Sequence, residues 1–259
     1  MVVHLHFHKA GGTTILSHFK KLKLVRGREG PILGRPTKNF LMHAGDPEFW
    51  KNLKLQGNEF VSLESDFLTP DQMKNISHSC IHFVTIVRGP WSRFRSTYER
   101  ELFLKYIGLR RGLCVAKNSL DKWMKEENTN HQYPRENAWG GTLSPNYYIR
   151  MLNGINSDTN HQELTDFHLE QAKSIMRRFD VVALLEDATD MKNKIDTFFG
   201  ATSDDLPVIS NNQLKKWPSY QAIVAKANKQ RGLFEEQNLL DRQFYNWVKE
   251  ELINGGTRE

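Results

Sequence analysis

Cysteine is scarce in this chain: Cys80 and Cys114 are the only two in 259 residues. That excludes a disulfide-dense scaffold and a four-cysteine zinc site, and leaves room for one bridge at most. Long hydrophobic runs are missing too. No apolar stretch approaches the ~18–20 residues that a bilayer-spanning helix requires, and no charged segment followed by an apolar one precedes the first strand. No membrane segment is therefore expected within the chain, although Met1-Val2-Val3 leads so directly into a strand that a trimmed upstream anchor or signal is compatible with it. Internal repeats, low-complexity tracts and a Pro/Gly/Ser-rich linker are likewise absent, so residues 1–259 are expected to form one domain.

What is present suits a folded enzyme-sized domain. Hydrophobic residues make up 39% of the chain, with 15 Phe, 7 Tyr and 6 Trp, enough for a substantial core. Lys and Arg number 36 against 30 Asp and Glu, a net charge of +6 that favours an anionic partner. A nucleotide, a polyanionic glycan and a nucleic acid all satisfy that condition. The last is disfavoured because no RNP, zinc-finger or helix-turn-helix signature occurs.

Val3, Leu5 and Phe7 alternate with His4, His6 and His8, the period of a strand. Lys9-Ala10-Gly11-Gly12-Thr13-Thr14 breaks that period, and Ile15, Leu16 and Phe19 resume it at helical spacing, so the first unit reads strand, glycine-containing loop, helix. Residues Arg26 to Pro36, rich in Gly, Arg and Pro, read as a long loop. Further strands are expected over Glu59–Leu63, Ile81–Val87 and Phe179–Leu185. A helix begins at Thr69-Pro70, another follows Pro90 with Phe94, Tyr98, Leu102 and Tyr106 on one stripe, and Leu169 to Arg178 is helical. The tail from Glu235 reads as an amphipathic helix through Leu239, Leu240, Phe244, Trp247 and Val248 that packs on the sheet. Strands alternating with helices predict an α/β fold with a central parallel sheet.

Two constellations can carry chemistry. In Lys9–Thr14 the glycines allow backbone N–H groups to turn inward around an anion, the following helix adds its positive end, and Lys9, Thr13 and Thr14 add donors. The loop suits a phosphate but is not a Walker A loop, because its lysine precedes the glycines. An ordinary strand-to-helix turn with a solvated lysine would carry the same residues. The second constellation is Arg88 at the end of a buried strand and Ser96 eight residues on, with Arg93 between them. A helix starting near Pro90 would bring Ser96 toward the crevice of Arg88, where guanidinium and hydroxyl could hold a second phosphate. An arginine after a strand also commonly serves as a carboxylate partner.

Together these segments resemble the sulfotransferases that use 3′-phosphoadenosine 5′-phosphosulfate (PAPS). His6–Thr14 resembles their 5′-phosphosulfate loop, and Val87–Ser96 resembles their 3′-phosphate motif with the Arg-to-Ser interval kept. The likeness is nearest to the Golgi glycan O-sulfotransferases of the heparan sulfate 6-O and 2-O types. Leu41-Met42-His43-Ala44 resembles the stretch with their catalytic histidine, and Asn146–Leu152 their Asn-x-x-x-Arg-Met-Leu helix. Ala10 stands where the family often has Thr, and Gly89 where it usually has an acidic residue.

The resemblance implies a single sulfotransferase domain with a P-loop-like nucleotide-binding fold and in-line transfer of a sulfuryl group to an acceptor hydroxyl. Lys9 would stabilise the leaving oxygen, Ala10, Gly11, Gly12, Thr13 and Thr14 would hold the 5′-phosphate, and Arg88 and Ser96 the 3′-phosphate. His43 would be the base, since an imidazole titrates near neutrality, with Glu64 beyond the second strand as the other candidate. Lys215 and Lys216 lie where relatives close a loop over the nucleotide. His8, Trp139 and Arg150 are candidates for the acceptor surface. No metal is required, and His4, His6 and His8 lack the further ligands of a recognised metal spacing. The compartment would be the Golgi lumen with a trimmed anchor and the cytoplasm otherwise. Other acceptors, such as a small alcohol, a phenol or a peptide tyrosine, would use the same donor site. A catalytically silent polyanion-binding module is the reading from another class, and a nucleotide kinase would need a Walker lysine that is not found.

Overall fold

The computed structural model describes residues 1–7, 10–11, 32–33, 47–55, 57, 60–64, 81–106, 145–155, 163–199, 220–229 and 231–254. In chain order these form β1 (Val2–His6), β2 (Ile32–Leu33), α1 (Pro47–Leu55), β3 (Phe60–Glu64), β4 (His82–Val87) and α2 (Pro90–Tyr106). There follow α3 (Tyr147–Asn153), α4 (Asp166–Met176), β5 (Val181–Leu184), α5 (Ala188–Phe199), α6 (Tyr220–Lys229), α7 (Arg231–Gln237) and α8 (Leu239–Trp247), which continues as a π-helical stretch, Val248–Asn254. The strands make one sheet in the order β2-β3-β1-β4-β5, every neighbouring pair parallel. This is the α/β architecture that the alternating pattern predicts, and among the described residues no helix is long and apolar enough to cross a membrane.

Both faces of the sheet are covered, as parallel sheets require. Val3, Leu5, Phe7, Val61, Phe83, Val87, Val182 and Leu184 point to one face and pack against Trp50 of α1, Tyr147 to Leu152 of α3, α4, Phe244 and Trp247 of α8, and Val248. Val2, Phe60, Val84, Ile86, Val181 and Ala183 point to the other and meet Met191 and Ile195 of α5. Odd and even positions separate as the pleat dictates.

Three expectations need correction. Within the stretch read as a loop, Ile32–Leu33 pairs in parallel with Ser62 and Leu63 as an edge strand; two residues carry no periodicity that a sequence can display. Glu64 is the last residue of β3 rather than a residue beyond it, and its Cα faces that of His6 across the ladder. The tail is not one amphipathic helix. It restarts at Asn238, and Leu239 is 44% exposed while Phe244, Trp247 and Val248 are buried. The Thr69-Pro70 helix start lies outside the described residues.

Candidate functional site

The strand order places a topological switch between β1 and β4. From β1 the chain moves out toward β3 and β2, whereas from β4 it moves out toward β5. In open parallel sheets the crevice beyond the carboxyl ends of two such strands is where ligands bind. Register fixes which residues share that rim: Val2 is level with His82 and Leu5 with Thr85, so Phe7 and Val87 reach it together. The loop entered at Phe7 and the loop entered at Arg88 therefore open side by side.

The first loop starts with a tight turn, the Ala10 N–H donating to the Phe7 carbonyl at 3.0 Å, with Ala10 buried. Gly11 follows at φ +87°, a conformation costly for any residue with a Cβ. An added Cβ there would also lie 2.6 Å from Leu185 Cδ1. Glycine at this position is thus favoured by the backbone conformation, and a larger residue would also have to displace the end of the Leu185 side chain. His8, Lys9, Gly12, Thr13 and Thr14 lie outside the described residues, as do His43, Trp139, Lys215, Lys216, Cys80 and Cys114.

The second loop is held from three sides. The Tyr148 hydroxyl, buried under the sheet's end, donates to the Arg88 carbonyl at 2.6 Å and accepts from the Arg88 N–H at 3.1 Å. Burial raises the Tyr148 phenol far above its usual range, so it stays a neutral hydroxyl able to do both. The Gly89 N–H donates to Glu186 Oε1 at 2.9 Å, and the Tyr245 hydroxyl donates to Glu186 Oε2 at 3.3 Å. Burial, followed by the Glu186 charge, pushes Tyr245 up to about 12. Burial pulls the Arg88 guanidinium below its ordinary value, with Glu186 as the largest opposing influence; it remains a cation. Ser96 sits half-buried two turns into α2.

Arg93, between Arg88 and Ser96 in sequence, is buried instead. It is 1% exposed, with its guanidinium carbon 3.8 Å above the Tyr147 ring and 5.7 Å from that of Tyr148. Its charge acts on Asp241, whose buried carboxyl is pushed up to about 6, burial being the main cause and Arg93 the chief opposing one. Asp241 accepts from the Tyr148 and Ile149 N–H groups at 3.2 and 3.1 Å, satisfying donors that the first turn of α3 leaves open.

Asn146, at φ +54°, completes the lock between α3 and α8. Its side chain accepts from the Asp241 N–H and donates to the Gln237 carbonyl, and its own N–H donates to Asn238 Oδ1. The Asn146–Leu152 motif therefore serves as the support that presents Tyr148 to Arg88. Arg150, a candidate for the acceptor surface, donates through Nε to the Pro145 carbonyl at 3.1 Å.

His4 is buried, with its Nδ1 3.1 Å from Ser62 Oγ, and stacks on His6 at 5.4 Å. Burial and the neighbouring His6 hold its pKa well below the usual imidazole range. Both rings lie on the face of β1 opposite Phe7. Sequence reasoning assigns no role to Tyr148, Glu186, Asp241 or Tyr245. Glu186 alone carries a local signal, an acidic residue just past a strand; the others act across long sequence separations. No protein-family model matches the chain, and no curated protein matches it significantly.

Proposed function

We propose that the protein is a sulfotransferase that transfers the sulfuryl group of PAPS to a hydroxyl of an anionic glycan. What supports the reading most is one observation: the loops entered at Phe7 and at Arg88 leave adjacent parallel strands, β1 and β4, at the same rim and at the switch point of the sheet. The residues present fit a doubly phosphorylated nucleoside. A turn with a glycine at positive φ ends one strand, and an arginine clamped at its backbone ends the next.

The donor supplies an activated sulfuryl group in a phosphosulfate anhydride; everything else falls to the backbone and side chains of the protein. Lys9 neutralises the charge that grows on the leaving phosphate oxygen as its bond to sulfur breaks. Gly11, Gly12, Thr13 and Thr14 hold the 5′-phosphate, and Arg88 and Ser96 hold the 3′-phosphate, which aligns the reacting atoms before the step. His43 takes the acceptor hydroxyl's proton as the new oxygen–sulfur bond forms, with Glu64, at the carboxyl end of β3, the second candidate for that base.

A thermal-shift panel tests the reading. Adenosine 3′,5′-bisphosphate should raise Tm by ligand linkage, while ATP with Mg²⁺ should not match it. Arg88→Ala should abolish that shift while leaving the unliganded Tm close to wild type. A wild-type chain indifferent to the bisphosphate, or stabilised only by ATP with Mg²⁺, would remove the proposal. Transfer of labelled sulfate to a panel of glycan, phenol and peptide acceptors then assigns the acceptor.

A further inference from the structure

Beside the second loop, a cleft of about 690 Å³ opens between the start of α2 and helices α6 to α8. Its volume falls within the ~300–1,000 Å³ of ordinary ligand sites. Arg95, Arg231 and Arg242 line it, against the single carboxylate of Glu235. Arg231 donates to Glu235 at 2.6 Å, and Arg95 lies 3.4 Å from Glu99. Arg242, exposed on the first turns of α8, has no carboxylate partner among the described residues. The cleft thus retains net positive charge after its internal pairs are counted.

Its other walls offer groups that a sugar chain can use. Trp91 lies stacked on Phe94 at 5.6 Å and meets Phe234 edge-on at 5.3 Å, so its ring is fixed in place by its own chain. Ser92, Asn228 and Tyr245 add neutral hydrogen-bonding groups of the kind that meet sugar hydroxyls. Neither Arg88 nor Ser96 is among the lining residues, yet Gly89 and Pro90 are, so the cleft abuts the second loop without sharing its grip residues.

We propose that this cleft is a binding site for a sulfated or carboxylated oligosaccharide, with Arg231 and Arg242 as its principal anion contacts. The inference rests on the glycan-acceptor reading above and extends it to residues that neither phosphate loop contains. Guanidinium groups suit the planar fork of carboxylate and sulfate oxygens, and an open cleft accepts a polymer whose ends continue beyond it.

The test compares two ligands on three full-length proteins by titration calorimetry at physiological salt. The ligands are a heparin-derived octasaccharide and adenosine 3′,5′-bisphosphate. The proteins are the wild type, Arg231→Ala with Arg242→Ala, and a charge-matched control, Lys51→Ala with Lys54→Ala on exposed α1. The cleft variant should bind the octasaccharide about ten-fold or more weakly, with its bisphosphate affinity within about two-fold of wild type and the control unaffected. Equal weakening in the control would reduce the effect to overall charge and overturn the site. Parallel loss of bisphosphate binding would give the cleft to the nucleotide and overturn it as well. A wild type that binds the octasaccharide through Arg231 and Arg242 but ignores the bisphosphate would support the cleft while refuting the sulfotransferase reading.

Discussion

Gly11→Ala probes the first loop most directly. At φ +87° an L-residue costs about 1–2 kcal/mol relative to glycine. The new methyl would lie 2.6 Å from Leu185 Cδ1, far inside contact distance, but that atom ends a flexible, half-buried side chain. Swinging it off its rotamer costs about 0.5–1.5 kcal/mol. Alanine also restricts the unfolded chain, which offsets about 0.4–1 kcal/mol. The net loss should be about 0.5–3 kcal/mol, measured by urea unfolding followed through tryptophan fluorescence. Repeating the substitution in a Leu185→Ala background removes the steric part and leaves the backbone part, so the cycle should give a favourable coupling of about 0.5–1.5 kcal/mol. Because the loop must shift to accept the methyl, bisphosphate affinity should fall with stability in the single variant. A Gly11→Ala protein within about 0.5 kcal/mol of wild type would refute the account, since surface changes of no structural consequence fall in that range.

Other consequences can be checked separately. Asp241 titrates at about 6 in the fold against 3.8 for an ordinary aspartate, so the folded state binds its proton more tightly than the unfolded one. Its contribution to stability is therefore greatest below pH 4 and declines as pH rises to about 6, by up to about 3 kcal/mol. Asp241→Asn should abolish that decline, so the stability difference between the two proteins, measured by urea unfolding from pH 4 to 7, should change with pH; a constant difference would contradict the assignment. Tyr148→Phe removes both hydrogen bonds to Arg88 and should cost about 1–3 kcal/mol, together with a weaker bisphosphate complex. Unchanged affinity would mean that the clamp does not position the loop. His43→Ala should lower turnover by about 10²–10⁴ with bisphosphate affinity retained, and near-normal turnover would transfer the base to Glu64 or another group.

Much of the architecture was legible in the chain because it is periodic. Val3, Leu5 and Phe7 alternate with histidines, and Phe83 to Val87 is apolar apart from Thr85, so local pattern alone sufficed to find β1 and β4 and to predict a parallel sheet. The residues proposed to hold phosphate could be picked out for a related reason: Lys9–Thr14 and Arg88–Ser96 each occupy one short segment of the sequence. Ile32–Leu33 was not, because pairing with β3 rather than its own two residues makes it a strand.

The sequence by itself thus determined the alternating strands and helices and the placing of a glycine at the turn after β1. Tertiary structure alone decided that the two loops share a rim, since that depends on β1 lying between β3 and β4 in the sheet. It also decided that Asp241, Asn146 and Tyr148 support the Arg88 loop and that Arg95, Arg231 and Arg242 line one cleft. These groups come from segments tens of residues apart, and only the packing of α3 and α8 against the sheet, driven by burial of Tyr147, Tyr148, Phe244 and Trp247, brings them together.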